Sequence, residues 1–88
     1  MHLAFEMQIV QPLHTLQSNR KAIIAHVQHT EISPKLVEMG FIPGSEVSIL
    51  FRAPFGGPLA IDLGSSVVSL RIEEAQVIMI DASSNVDE

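Results

Sequence analysis

The chain has no cysteine, no tryptophan and no tyrosine among its 88 residues. Without cysteine there is no disulfide framework, no thiolate zinc site, no cysteine-ligated iron–sulfur cluster and no thiol nucleophile. Without tryptophan or tyrosine there is nothing to line the aromatic groove that reads proline-rich peptides. Positive charge is scarce: five Lys and Arg stand against ten Asp and Glu, a net charge of −5. Arg20, Lys21, Lys35, Arg52 and Arg71 form no run longer than two, which argues against a nucleic-acid surface. Long apolar runs are missing as well. The longest, such as Ala22–Ala25 and Val77–Ile80, hold four residues, against the ~20 a membrane-spanning helix needs. The segment Met1–Val10 has no Lys or Arg and no extended apolar core, so it does not read as a signal peptide. A cytoplasmic protein is expected.

Apolar residues make up 47% of the chain and charged residues only 17%, a balance that supports a packed core rather than disorder. The length suits one domain. Residues 1–15 have two readings, a β-arm carried by Leu3, Phe5 and Met7 until Pro12 interrupts it, or an extension ahead of an alternative start at Met7. The domain proper is expected over 16–81, and 82–88 reads as an acidic tail.

Within the domain, Ala22–Gln28 alternates as a first strand, with Ile23, Ala25 and Val27 on one face and Ile24, His26 and Gln28 on the other. Ser33-Pro34 then opens a helix of about two turns, with Ser33 as N-cap and Pro34 at the first helical position. Leu36 and Met39 are to face the core, and Gly40 ends the helix in a left-handed conformation. Phe41-Ile-Pro-Gly44 is a turn. The next strand, Ser45–Arg52, points Val47, Ile49 and Phe51 inward and Glu46, Ser48 and Arg52 outward. Ala53-Pro-Phe-Gly-Gly-Pro58 is a hairpin tip, and Leu59, Ile61 and Leu63 face in on the returning strand. Ser66–Arg71 is a strand with Val68 and Leu70 inward, Ile72–Gln76 a single helical turn, and Val77–Ile80 the closing strand. Five short strands with one short helix between the first two make a mostly-β, partly open SH3-like barrel.

Three segments, Lys35-Leu-Val-Glu-Met-Gly-Phe-Ile-Pro-Gly-Ser-Glu-Val, Arg52-Ala-Pro-Phe-Gly-Gly-Pro and Val68-Ser-Leu-Arg-Ile-Glu-Glu-Ala, occur in the order and spacing of the FeoA family of ferrous iron transport accessory proteins. The chain resembles that family from about Leu13 to Asp81, and is similar to the C-terminal domain of DtxR-class metal-dependent repressors. The resemblance implies an SH3-like barrel acting in the cytoplasm with FeoB, the membrane ferrous iron transporter that carries a GTP-binding domain. The chain departs from the family in lacking a glycine near Ser18 or Asn19, and its helix segment after Thr30 is short.

Candidate site residues follow. Phe55, set between Pro54 and Gly56-Gly57 at a rigid tip, is placed to anchor a partner. Arg52, Pro54, Phe55, Gly56, Gly57 and Pro58 are taken together as the partner-binding group. Leu50, opposite the inward face of its strand, is a second exposed apolar candidate. Arg52 and Arg71 pair with Asp62 or Glu46 across strands on the bland reading, and fix a docking surface on the functional one.

For metal, His26 and His29 share a face only on a helix, His2 and His14 lie in the arm, and Glu31 is the one acid at ligand spacing; solvated histidines are the simpler account. Glu73 and Glu74 read as solvated acids at a helix start. No residue is assigned as a metal ligand, no cofactor is expected, and no nucleophile elbow or phosphate-cradling loop marks an enzyme. The function expected is a non-catalytic accessory of ferrous iron uptake docking on FeoB. The alternatives are a divalent-metal sensor using His26, His29, Glu73 or Glu74, and a self-assembling module whose arm, Leu3–Val10, pairs along a barrel edge.

Overall fold

Through the middle of this chain consecutive strands pair antiparallel, and the last described strand returns to lie between the first two. The computed structural model describes residues 9–81; the acidic tail 82–88, His2 and most of the Leu3–Val10 arm lie outside them. The elements are β1 (Val10–Pro12), a 3₁₀ turn (Leu13–Thr15), β2 (Lys21–Val27), α1 (Ser33–Met39), β3 (Glu46–Arg52), β4 (Leu59–Asp62), β5 (Val67–Leu70), α2 (Ile72–Ala75) and β6 (Ile78–Asp81). They form one open, six-stranded sheet in the order β1-β6-β2-β3-β4-β5. The five strands expected become six, because Val10–Pro12 pairs with Met79–Asp81. Pro12 does not end that pairing; on an edge strand its missing N–H faces no neighbour.

The core is aliphatic apart from Phe41, which is fully buried together with Leu13, Leu36, Ile49, Ile61 and Ile80. Leu13 and Leu16, 0% and 2% exposed, plug one end of the curled sheet from the 3₁₀ turn. The core thus begins inside the segment read as an arm.

Two bulges set which side chains reach this core. In β2, Ala22 and Ile24 are buried, and the register with β6 shifts between Ile24 and His26. Strict alternation would put His26 beside Ile24 on the core face. The extra residue at Ala25 instead leaves His26 exposed and lets the half-buried Val27 pack on the core. In β3 the register with β4 shifts between Ile49 and Phe51. Val47 and Ile49 are buried as expected, but Phe51, expected inward, is 61% exposed. Leu50 is the inserted residue, and every side chain after it changes face. Bulges of this kind also bend strands, which curls a flat ribbon toward a barrel.

The helices depart from expectation at their starts. α1 has no side-chain N-cap bond. The Ser33 hydroxyl donates to Gln28 O and accepts from Thr30 N at 2.7 Å, tying the loop that follows β2. Ser33 closes the loop before the helix rather than capping it. Gly40 ends α1 with φ 114°, and a Cβ there would stand 3.3 Å from Leu63 Cδ1, so the left-handed stop is also a close packing point. In α2, Glu74 is not a solvated acid. Its carboxylate accepts from Arg71 N at 2.9 Å, capping the turn, and lies 3.7 Å from Lys35 Nζ of α1.

The missing glycine near residue 19 has a local answer. Asn19 adopts φ 68° and its N–H donates to Ile49 O at 2.7 Å. Asparagine is among the few residues other than glycine that take this conformation readily.

Candidate functional site

The β3–β4 hairpin ends in a turn whose shape follows from its residues. Gly57 N donates to Pro54 O at 3.2 Å and Ala53 N to Pro58 O at 3.0 Å. The two central residues, Phe55 and Gly56, have φ of 59° and 72°, the paired left-handed geometry of a type I′ hairpin turn. Gly57 is demanded by space, since a Cβ would meet Ala53 Cβ at 2.8 Å. Phe55 is 102% exposed, so its ring touches nothing in the domain.

Placing a bulky side chain in the left-handed region costs about 1–2 kcal/mol, and no burial of the ring offsets it. Phe55→Asn is therefore expected to raise the unfolding free energy by about 0.5–1 kcal/mol, read as a higher denaturant midpoint. A lower midpoint would mean that the ring packs onto the domain and is not a free anchor.

Behind the tip, the bulge at Leu50 creates the rest of the surface. Phe51 lies across from Ala60, which lies across from Ser69. With only small neighbours along that row, the Phe51 ring stays uncovered on the outer face. Leu50 is 38% exposed beside it. The hairpin therefore presents Leu50, Phe51 and Phe55 outside the core. Phe51 was missed from the sequence because the alternation was carried through without the bulge.

Arg52 is exposed, as expected, but on the face of β3 opposite to Phe51. It lies across from the buried Leu59, and its guanidinium donates to His14 O at 2.8 Å and to Leu16 O. The fork takes up two backbone carbonyls of the 3₁₀ segment, in place of Asp62 or Glu46. Of the proposed partner-binding group, Arg52, Pro54, Phe55, Gly56 and Pro58 are exposed and Gly57 is half-buried, while the Arg52 guanidinium also ties the hairpin to the chain before β2.

Two surface depressions lie elsewhere. One, of about 240 Å³, is bordered by Lys21, Ser48 and Asp62 on the outer face. The other, of about 590 Å³, lies between the end of β2 and α1, where His29 and Glu31 line it with Val27, Pro34 and Val37. His26 is on β2 and not among them. His14 Nδ1 is buried without a hydrogen-bond partner among the described residues. Among those residues no group of three or more His, Asp or Glu side chains stands close enough to hold a metal ion, and no helix is long and apolar enough to cross a membrane.

The FeoA domain family matches residues 11–82. FeoA of Stenotrophomonas maltophilia, solved with zinc and described as a prokaryotic SH3-domain protein and candidate ferrous iron transport activating factor, is 34% identical with a TM-score of 0.75. That match covers 84% of this chain and 93% of the other. Iron(II) transport protein A of Clostridium thermocellum is 35% identical over 81% of this chain and 44% of the other, with a TM-score of 0.74. A manganese-dependent transcriptional repressor superposes with a TM-score of 0.77 at 18% identity over 85% of this chain and 42% of its own, which is a likeness of fold. No curated protein matches the chain.

Proposed function

Because the chain belongs to the FeoA family of ferrous iron transport proteins, and has that family's SH3-like open barrel, we propose that it is a non-catalytic cytoplasmic accessory of ferrous iron uptake. It docks on a FeoB-type transporter through the β3–β4 hairpin, with Phe55 as anchor and Leu50 and Phe51 widening the contact.

The observation that carries this reading is the fully exposed Phe55 ring, held in a left-handed backbone conformation at a turn braced by two prolines. A large apolar side chain in a strained position with no contact inside its own domain calls for a contact outside it. The rigid turn also limits the ordering cost of association.

The test is a titration of the ¹⁵N-labelled chain with the transporter's soluble GTP-binding domain, with and without nucleotide. Amide shifts are expected at Phe55, Gly56 and along β3. Phe55→Ala is expected to weaken binding by about thirtyfold, the effect of losing a hot-spot side chain worth ~2 kcal/mol, with the rest of the spectrum unchanged. Saturable binding that leaves the hairpin amides unmoved would remove the hairpin from the interface. No binding at high partner concentration would remove the GTP-binding domain as the site of docking.

A further inference from the structure

Among the described residues the open sheet has two free edges, and they differ in kind. β1 is three residues long and contains Pro12, the usual way an edge is guarded against further pairing. β5, at the other end of the strand order, has the sequence Val-Val-Ser-Leu, with no proline and no charge. The uncharged stretch extends from Leu63 to Leu70, in a chain of net charge −5. Opposite charges stand at its two ends, Asp62 and Arg71. Val67 on the outer face is 58% exposed, and the backbone stays extended through Arg71, with φ −75° and ψ 157°.

We propose that the β5 edge pairs with β5 of a second copy of this chain, antiparallel about a two-fold axis through Ser69. Centred there, the register sets Val68 across from Leu70 of the second copy, extending the buried face, and Val67 across from its Arg71. Asp62 lies beside Val67 on β4. Asp62, Val67 and the second copy's Arg71 therefore form one row on the outer face. The two charged residues are two strand spacings apart, roughly 10 Å between backbones, and the long arginine side chain lying over Val67 closes that gap. The symmetry makes the pair twice.

The charge pattern selects a copy over an unrelated strand. The strand's own flanking residues supply the complement, and two acidic chains meet here without bringing acids face to face. The contact is small, so the association is weak and depends on concentration. It leaves the β3–β4 tip free, and stands or falls separately from docking on a transporter.

Sedimentation velocity on the full chain from about 10 μM to 1 mM is the test, with amide hydrogen exchange at both ends of the range. Association rising with concentration is expected, with protection gained at Val67 and Ser69; the Arg71 amide already donates to Glu74. Val67→Lys, at an exposed position, is expected to weaken it at least tenfold, as is Arg71→Glu. Joining Arg71→Glu to Asp62→Lys is expected to restore it. A monomer at every concentration would overturn the proposal, as would a dimer indifferent to both Val67→Lys and Arg71→Glu. Protection of β5 gained only from an added transporter domain, the chain alone staying monomeric, would overturn it in favour of a partner's strand.

Discussion

A chain shortened to begin at Leu16 is expected to lose its cooperative unfolding transition. Residues 10–15 precede the domain expected over 16–81, but three separate supports come from them. Leu13 is fully buried in the core, and truncating a buried leucine costs about 2–5 kcal/mol. β1 covers β6 along Val10–Pro12, so its removal leaves β6 as an exposed edge. His14 supplies one of the two carbonyls that hold Arg52. Small domains have about 5–15 kcal/mol of stability in all, and the combined loss is of that order. Circular dichroism on heating and the dispersion of an amide spectrum would show it. A shortened chain that still melts sharply, within a few degrees of the full one, would refute this account of residues 10–15. Leu13→Ala alone is expected to leave a folded but weakened domain.

Replacing Arg52 with methionine is expected to lower stability by about 1.5–3 kcal/mol, the range for hydrogen bonds made by a charged donor. In a domain of this size that corresponds to roughly 6–24 °C in Tm, at about 4–8 °C per kcal/mol. Methionine preserves much of the apolar stem, so the loss isolates the two bonds to His14 O and Leu16 O. Arg52→Lys is expected to recover only part of it, because an ammonium does not present the planar fork that reaches both carbonyls. A methionine variant as stable as the parent would mean that water replaces the guanidinium without loss. Such an outcome would leave Arg52 as a solvated residue with no part in holding the fold. Any effect of Arg52 substitutions on partner binding has to be read after this effect on the fold.

The residues that were legible in the sequence are those whose backbone demands are local. Gly40 at the end of α1, Gly44 in the turn before β3, and the tip from Pro54 to Pro58 all fall where their types require, with φ of 114°, 93° and, at Gly56, 72°. Buried apolar positions ahead of the β3 bulge and throughout β4 and β5 followed the two-residue period, but Ser48, expected outward, is buried between Val47 and Ile49. Period-two reading fails past an insertion, because one extra residue reverses every later side chain. That is why Phe51, expected inward, is exposed. A clue was present: the apolar triplet Ile49-Leu50-Phe51 and the apolar run Ala22-Ile23-Ile24-Ala25 break the alternation, and a bulge lies in or beside each. Ser33 and Glu74 were misjudged for another reason. Each had a partner, Gln28 O or Arg71 N, that only loop geometry brings within reach.

The strand order also has a consequence in time. β6 is the last described strand and lies between β1 and β2, the first two described. Until residues 78–81 exist, β1 has no neighbour and β2 has only one. The ribosome adds roughly 5–20 residues per second, so β1 and β2 wait several seconds for the strand that joins them. A hairpin-first intermediate of β3, β4 and β5 can assemble meanwhile, since those strands are sequential. The unpaired edge of β2 is then the segment most open to a wrong partner in a crowded cell, and rapid arrival of the C-terminal strand is what limits that exposure.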